Sequence, residues 1–123
     1  MKILLLVGAG SFIGGILRYL VTVLVNNRYF SSFPFGTLAV NITGCFFMGL
    51  VFGLTEKQYI QTEARLFLST GLLGGFTTFS AFGNETVTLL REGQYVYAFA
   101  NIGLSLFLGL LATFLGIIIV KYL

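Results

Sequence analysis

A chain of 123 residues that is 57% hydrophobic and 9% charged, with seven Lys and Arg against four Asp and Glu, lies outside the composition of ordinary water-soluble domains. Histidine is absent and Cys45 is the single cysteine, which excludes a His-ligated metal site, a His general base and an intrachain disulfide. A hydrocarbon core about 30 Å thick takes roughly 20 apolar residues per helix, so residues 1–123 accommodate one transmembrane domain of four helices.

The first apolar run, Ile3 to Val25, follows one Lys as a signal peptide would, but its length and the three comparable runs behind it mark a retained helix over about 3–25. Asn26-Asn27-Arg28 forms a polar turn, and Ser31-Ser32-Phe33-Pro34 leads into a second helix over about 34–54, where Pro34 suits the first turn. The hydrophilic stretch Thr55 to Arg65, with Glu56, Lys57, Glu63 and Arg65, reads as a loop. A third helix is expected over about 66–90 and a fourth over about 95–122, joined by Arg91-Glu92-Gly93-Gln94. Four helices of this size fill their own interior with side chains, so a polar pathway calls for more than one copy.

An even number of spans puts both termini on the side of the middle loop. That side carries Lys2, Lys57, Arg65 and Lys121; the other carries Arg28 and Arg91, with Arg18 near that end of the first helix. So slight a bias fits a single orientation or insertion in both. Gly10/Gly14, Gly49/Gly53 and Gly71/Gly75 are each spaced for close approach of helix backbones. Cys45, inside an apolar run, reads as a small packing residue.

The segment Gly71-Leu-Leu-Gly-Gly-Phe-Thr-Thr-Phe-Ser-Ala-Phe-Gly-Asn-Glu85 is poor continuous helix, being rich in Gly and hydroxyl residues. A helix broken in lipid survives where its freed backbone groups are buried or face a polar cavity, and there its carbonyls suit a cation and its amides an anion. The competing reading is a Gly-rich packing face with hydroxyls bonded back to the helix. Thr37, Asn41 and Gly44 share one face of the second helix, and Asn101, Ser105 and Thr113 form a drifting stripe on the fourth. Singly these are interhelical glue; three stripes together fit a pathway lining of neutral donors, Asn41 foremost. The middle of every span lacks an acid, and Glu85 lies toward the end of the third. Arg18 either snorkels to the headgroups or draws anions to a vestibule.

Three stretches in order, Gly14-Gly-Ile-Leu-Arg-Tyr19, Phe35-Gly-Thr-Leu-Ala-Val-Asn-Ile-Thr-Gly44 and Gly74-Gly-Phe-Thr-Thr-Phe-Ser-Ala-Phe82, resemble the signatures of the Fluc/CrcB family of fluoride channels, and the resemblance covers essentially the whole chain. It implies an antiparallel, dual-topology homodimer in the bacterial inner membrane, with two pores that pass fluoride, not chloride, passively out of the cytoplasm and so relieve fluoride toxicity. By the same resemblance Asn41 would donate to fluoride and Phe79 and Phe82 would present their ring edges, which are electropositive. Ser80 and Thr113 would lie along the polar track, and Gly74 and Thr77 would offer backbone carbonyls to a structural sodium ion at the dimer centre. Where the family pattern carries Thr after Ser80, this chain has Ala81.

Two other readings compete. A small dual-topology exporter of organic cations would need a carboxylate deep in a helix, which the first helix does not have. A nontransporting assembly subunit would use its glycines for packing alone. An enzyme is disfavoured, since the sequence offers neither a nucleophile–base pair nor a carboxylate pair, and no feature points to nucleic acid.

Overall fold

The computed structural model describes all 123 residues as helices and short turns. Helix α1 (Lys2–Arg28) leads to α2 (Phe35–Glu56), and the third span is assembled from α3 (Thr62–Leu66), a π-helical segment (Phe67–Leu73), the single turn α4 (Gly74–Phe76) and α5 (Phe79–Arg91). Helix α6 (Tyr95–Lys121) ends the chain. Four stretches are long and apolar enough to cross a membrane: Lys2–Arg28, Phe35–Glu56, Thr62–Arg91 and Tyr95–Lys121.

The helix ends follow local chemistry. Asn26 and Arg28 close α1, and the Asn26 Oδ1 accepts from the Gly36 N–H at 3.1 Å, covering one of the free amides at the start of α2. Pro34 stands as the cap residue before α2 instead of inside its first turn, and Phe35 begins the helix. The middle loop is shorter than the hydrophilic composition suggests. Helix α2 continues through Thr55 and Glu56, and α3 begins at Thr62, where Glu63 favours the positive end of the helix dipole. Lys57 Nζ donates to the Lys121 carbonyl at 3.0 Å and Lys2 pairs with Glu63 at 3.0 Å, so the loop, both chain termini and the start of α3 lie at one end of the bundle. Gln58 takes a left-handed conformation, φ 58°, to turn the chain there.

Two glycine seams set the packing. Along the first, α1 lies against the π segment and α4. A Cβ on Gly10 would come 2.7 Å from the Leu72 backbone nitrogen, and one on Gly75 2.5 Å from the Ser11 carbonyl oxygen, so only hydrogen fits. Along the second, Gly49 of α2 meets the Thr113 backbone of α6 while Gly116 of α6 meets Phe46 and Leu50 of α2. Without a hydrophobic drive between helices in lipid, such contact is where van der Waals attraction accumulates. Only 23 of the 123 residues are buried, with Val40, Val120 and Asn101 the largest that are fully so, and big apolar side chains cover the outer faces of α1 and α6. That inversion is expected when lipid, not water, is the solvent.

Candidate functional site at the break in the third span

The third span breaks at Thr77 and Thr78, both in extended conformation (ψ 155° and 116°), directly after Gly74-Gly75-Phe76. Glycine lowers helix propensity on one side, and the threonine hydroxyls compete with the backbone on the other. Thr77 Oγ1 donates back to the Leu73 carbonyl at 2.9 Å, finishing the first half-helix, and Thr78 Oγ1 accepts from the Ala81 N–H at 3.2 Å as the N-cap of α5. Just before the break, the π-helical run Phe67–Leu73 is a further irregularity that the sequence did not announce. Wide turns of this kind favour functional sites.

Asn41 locks the break. Its Nδ2 donates to the Thr78 carbonyl at 3.0 Å and its Oδ1 accepts from the Thr78 N–H at 2.8 Å, so one α2 side chain replaces both bonds that a continuous helix would give that residue. The second Nδ2 hydrogen remains for another acceptor. Gly44, one turn further along α2, makes room for the methyl of Thr77.

These choices free two carbonyls. The Gly74 carbonyl would ordinarily receive the Thr78 N–H, which goes to Asn41, and the Thr77 carbonyl would receive the Ala81 N–H, which goes to Thr78 Oγ1. Gly74 is exposed and Thr77 half-buried, so both oxygens belong to a stretch of chain whose chemistry fits a hard cation.

A cleft of about 320 Å³ opens beside the break. Asn41, Phe79, Phe82, Ser105 and Thr113 line it together, with Cys45 and Met48 on the α2 wall and Leu106 opposite. The Phe79 and Phe82 rings tilt at 44° with centroids 5.6 Å apart. Thr113 Oγ1 shares its hydrogen between the carbonyls of Cys45 and Gly109, at 3.2 and 3.1 Å. None of these side chains is charged.

Other sequence candidates lie elsewhere. Ser80 is exposed, 3.2 Å from Thr78 through the two hydroxyl oxygens, and does not line this cleft. Arg18 is half-buried in α1 and makes no ion pair. Asn101, 1% exposed, departs from the polar stripe: it donates to Thr86 Oγ1 at 2.9 Å and knits α6 to α5. Thr37 does likewise between α2 and α5, donating to Glu85 Oε1 at 2.7 Å, while Glu85 Oε2 is buried without a partner. Cys45 stands on the cleft wall with its Sγ against Gly109 of α6, and its backbone carbonyl accepts from Thr113. Thr78, the pivot, escaped sequence reasoning because its partner is 37 residues away; the only signal was the pairing of an amide-bearing helix with a Thr-Thr break.

Four apolar spans, the third discontinuous around a neutral polar cleft, define a small multi-pass membrane protein of the transport class. Residues 5–117 match the family described as CrcB-like protein, Camphor Resistance (CrcB), and the chain belongs to that family. It is similar to the fluoride-specific ion channel FluC of Flavobacterium psychrophilum, 47% identical over 98% of both chains. The proteins of that name from Phocaeicola vulgatus (46% identical, 95% of this chain and 97% of the relative) and a Shewanella species (46% identical, 91% and 90%) are also similar. The family is one of channels, not enzymes, and the chain is a multi-pass protein of the bacterial inner membrane.

Proposed function

We propose that this protein is a fluoride-selective channel through which fluoride leaves the cytoplasm down its gradient, working as an antiparallel, dual-topology homodimer with two pores and a central sodium ion. The observation that carries the reading is the convergence of Asn41, Phe79, Phe82 and Thr113 on one uncharged cleft, in a chain whose relatives are named fluoride-specific channels.

Fluoride is small and strongly hydrated, so close donors must replace its water before it enters a narrow passage. Asn41 has a spare amide hydrogen and is held rigid by Thr78, while the ring edges of Phe79 and Phe82 bring positive partial charge without a formal cation. Ser105 and Thr113 continue the polar surface along α6 by turning their hydroxyls to the ion, Ser105 from the Asn101 Oδ1 and Thr113 from the backbone carbonyls of Cys45 and Gly109. Ser80 and the Ala81 position lie one step away, so a Ser80 contribution comes where the break meets a second wall. Neutral donors bind weakly enough to release, which conduction requires. Arg18, without an anionic partner, supplies positive potential that draws anions toward the mouth.

A second copy is favoured because the site is unfinished in one. Phe79 is 82% exposed and Ser80 is also open, although both lie within a membrane span, and the weak charge bias permits the partner to be inverted. The freed carbonyls of Gly74 and Thr77 support a sodium ion shared between two such breaks. When bound, the ion would supply fixed positive charge between the copies.

The test is fluoride release from potassium fluoride-loaded liposomes after valinomycin, followed with an ion-selective electrode, with chloride-loaded liposomes and Asn41→Ala as controls. Fluoride release that is slowed in the variant, with chloride retained, is the expected result. Equal release of both anions, or none from folded dimeric protein, refutes the proposal.

A further inference from the structure

One face of α2 runs past the polar cleft to the end of the helix. Asn41, Cys45, Met48, Phe52 and Thr55 follow one another at steps of four and three residues, a straight stripe, and from Asn41 to Thr55 it extends about 21 Å at 1.5 Å per residue. A second cleft, about 350 Å³, opens on the lower half of this stripe. Its walls are Phe52 and Thr55 of α2 and Arg65, Ser69 and Thr70 of α3 and the π segment. Met48 belongs to both clefts.

We infer that the second cleft is the anion entrance to the polar chamber from the end of the bundle that holds both termini, that Arg65 is its collecting charge, and that Met48 is the apolar gate between entrance and chamber. The inference rests on the channel reading above.

Arg65 is exposed at the membrane end and is free of ion pairs, since the salt bridge nearby joins Lys2 to Glu63. An unneutralised guanidinium over a cleft with low-dielectric walls concentrates anions. The wide turns of the π segment place Ser69 and Thr70 on the cleft wall. The Ser69 hydroxyl is committed to the Arg65 carbonyl at 2.8 Å and that of Thr55 to the Val51 carbonyl at 2.8 Å, whereas the Thr70 hydroxyl has no partner and is the donor an entering anion would meet.

Beyond Thr55 the stripe is apolar at Phe52 and Met48, and it turns polar again past Cys45 at Asn41. A short apolar constriction between two wet spaces holds back an ion by dewetting. An unbranched thioether chain suits the position, because it closes the passage yet swings aside with little strain.

The experiment uses the full-length protein in potassium fluoride-loaded vesicles. Met48→Gln, of similar size but wettable, and Met48→Ala are expected to raise fluoride efflux about tenfold or to admit chloride, and Met48→Phe to lower efflux about tenfold, each equivalent to ~1.4 kcal/mol in the barrier. Arg65→Gln should slow efflux about threefold at low ionic strength and leave it unchanged at high salt, with Arg65→Lys restoring it. A structural role would not produce the salt dependence or the opposite effects of Gln and Phe. If wild-type protein passes no fluoride, the channel reading itself falls. If wild type conducts and the folded Met48 and Arg65 variants match it, this entrance and gate are refuted and the cleft is a lipid-filled groove.

Discussion

Replacing Asn41 separates two roles that the structure gives one side chain. In Asn41→Ala the Thr78 N–H and carbonyl both lose their partner, and Thr78 is 9% exposed, so water cannot readily replace it. Each buried backbone group left unpaired costs about 1–3 kcal/mol, which sets an upper range of about 2–6. Interhelical hydrogen bonds measured in membranes lie nearer 1 kcal/mol each because the unfolded state also finds partners, so a loss of about 2 kcal/mol is expected. Asn41→Asp keeps an acceptor for the Thr78 N–H but removes the donor and adds a negative charge. It should therefore retain about half of that stability while abolishing fluoride passage. The assays are reversible unfolding in mixed micelles beside fluoride efflux from vesicles. If Asn41→Ala unfolds like the wild type, the lock across the break has no energetic meaning; if Asn41→Asp conducts normally, the amide is not the donor.

Three further substitutions test the packing and the remaining polar ties. Gly75→Ala forces a Cβ toward the Ser11 carbonyl and should cost about 1–3 kcal/mol, seen as a lowered melting temperature in detergent; an unchanged value would mean the α1 seam is loose. Asn101→Leu removes the donor to Thr86 and should cost about 1 kcal/mol, with fluoride efflux largely retained because Asn101 does not line the cleft; a dead channel would place it in the pathway. Thr37→Val leaves Glu85 without its hydroxyl donor and should destabilise the protein by about 1–3 kcal/mol, an effect that Glu85→Gln should change if the two side chains are coupled and leave untouched if they are not.

The four spans were legible because lipid enforces a single rule, uninterrupted apolar length, that composition states directly. The break was legible for a similar reason: Gly74-Gly75 and Thr77-Thr78 each weaken a helix, and only Phe76 separates them. What could not be read was how the broken ends are satisfied. Asn41 was recognisable as a costly amide, yet nothing in its neighbourhood names Thr78, and Asn101 resembles it in sequence while tying α6 to α5 and accepting from Ser105 on its own helix. The π segment was equally silent, since nothing in the Phe-Leu-Ser-Thr-Gly-Leu-Leu run of Phe67–Leu73 distinguishes wide turns from α turns, although the segment packs closely on α1. The early start of α3 goes with a distant charge, Lys2, which pairs with Glu63, while the loop's own Lys57 is tied to the Lys121 carbonyl at the same bundle end.

The π segment also bears on how the chain tolerates change in length. A π turn holds more residues than an α turn, so Phe67–Leu73 stores slack that can be withdrawn. Deleting one residue from it lets the segment tighten to α pitch while Gly71 and Gly75 keep facing α1. The same deletion in α1 or α6 has no such outlet and rotates everything beyond it by about 100°, one residue's share of a 3.6-residue turn. Length variation among descendants of this sequence should therefore concentrate between Leu66 and Gly74, within a membrane span, where a loop would ordinarily be the place to find it.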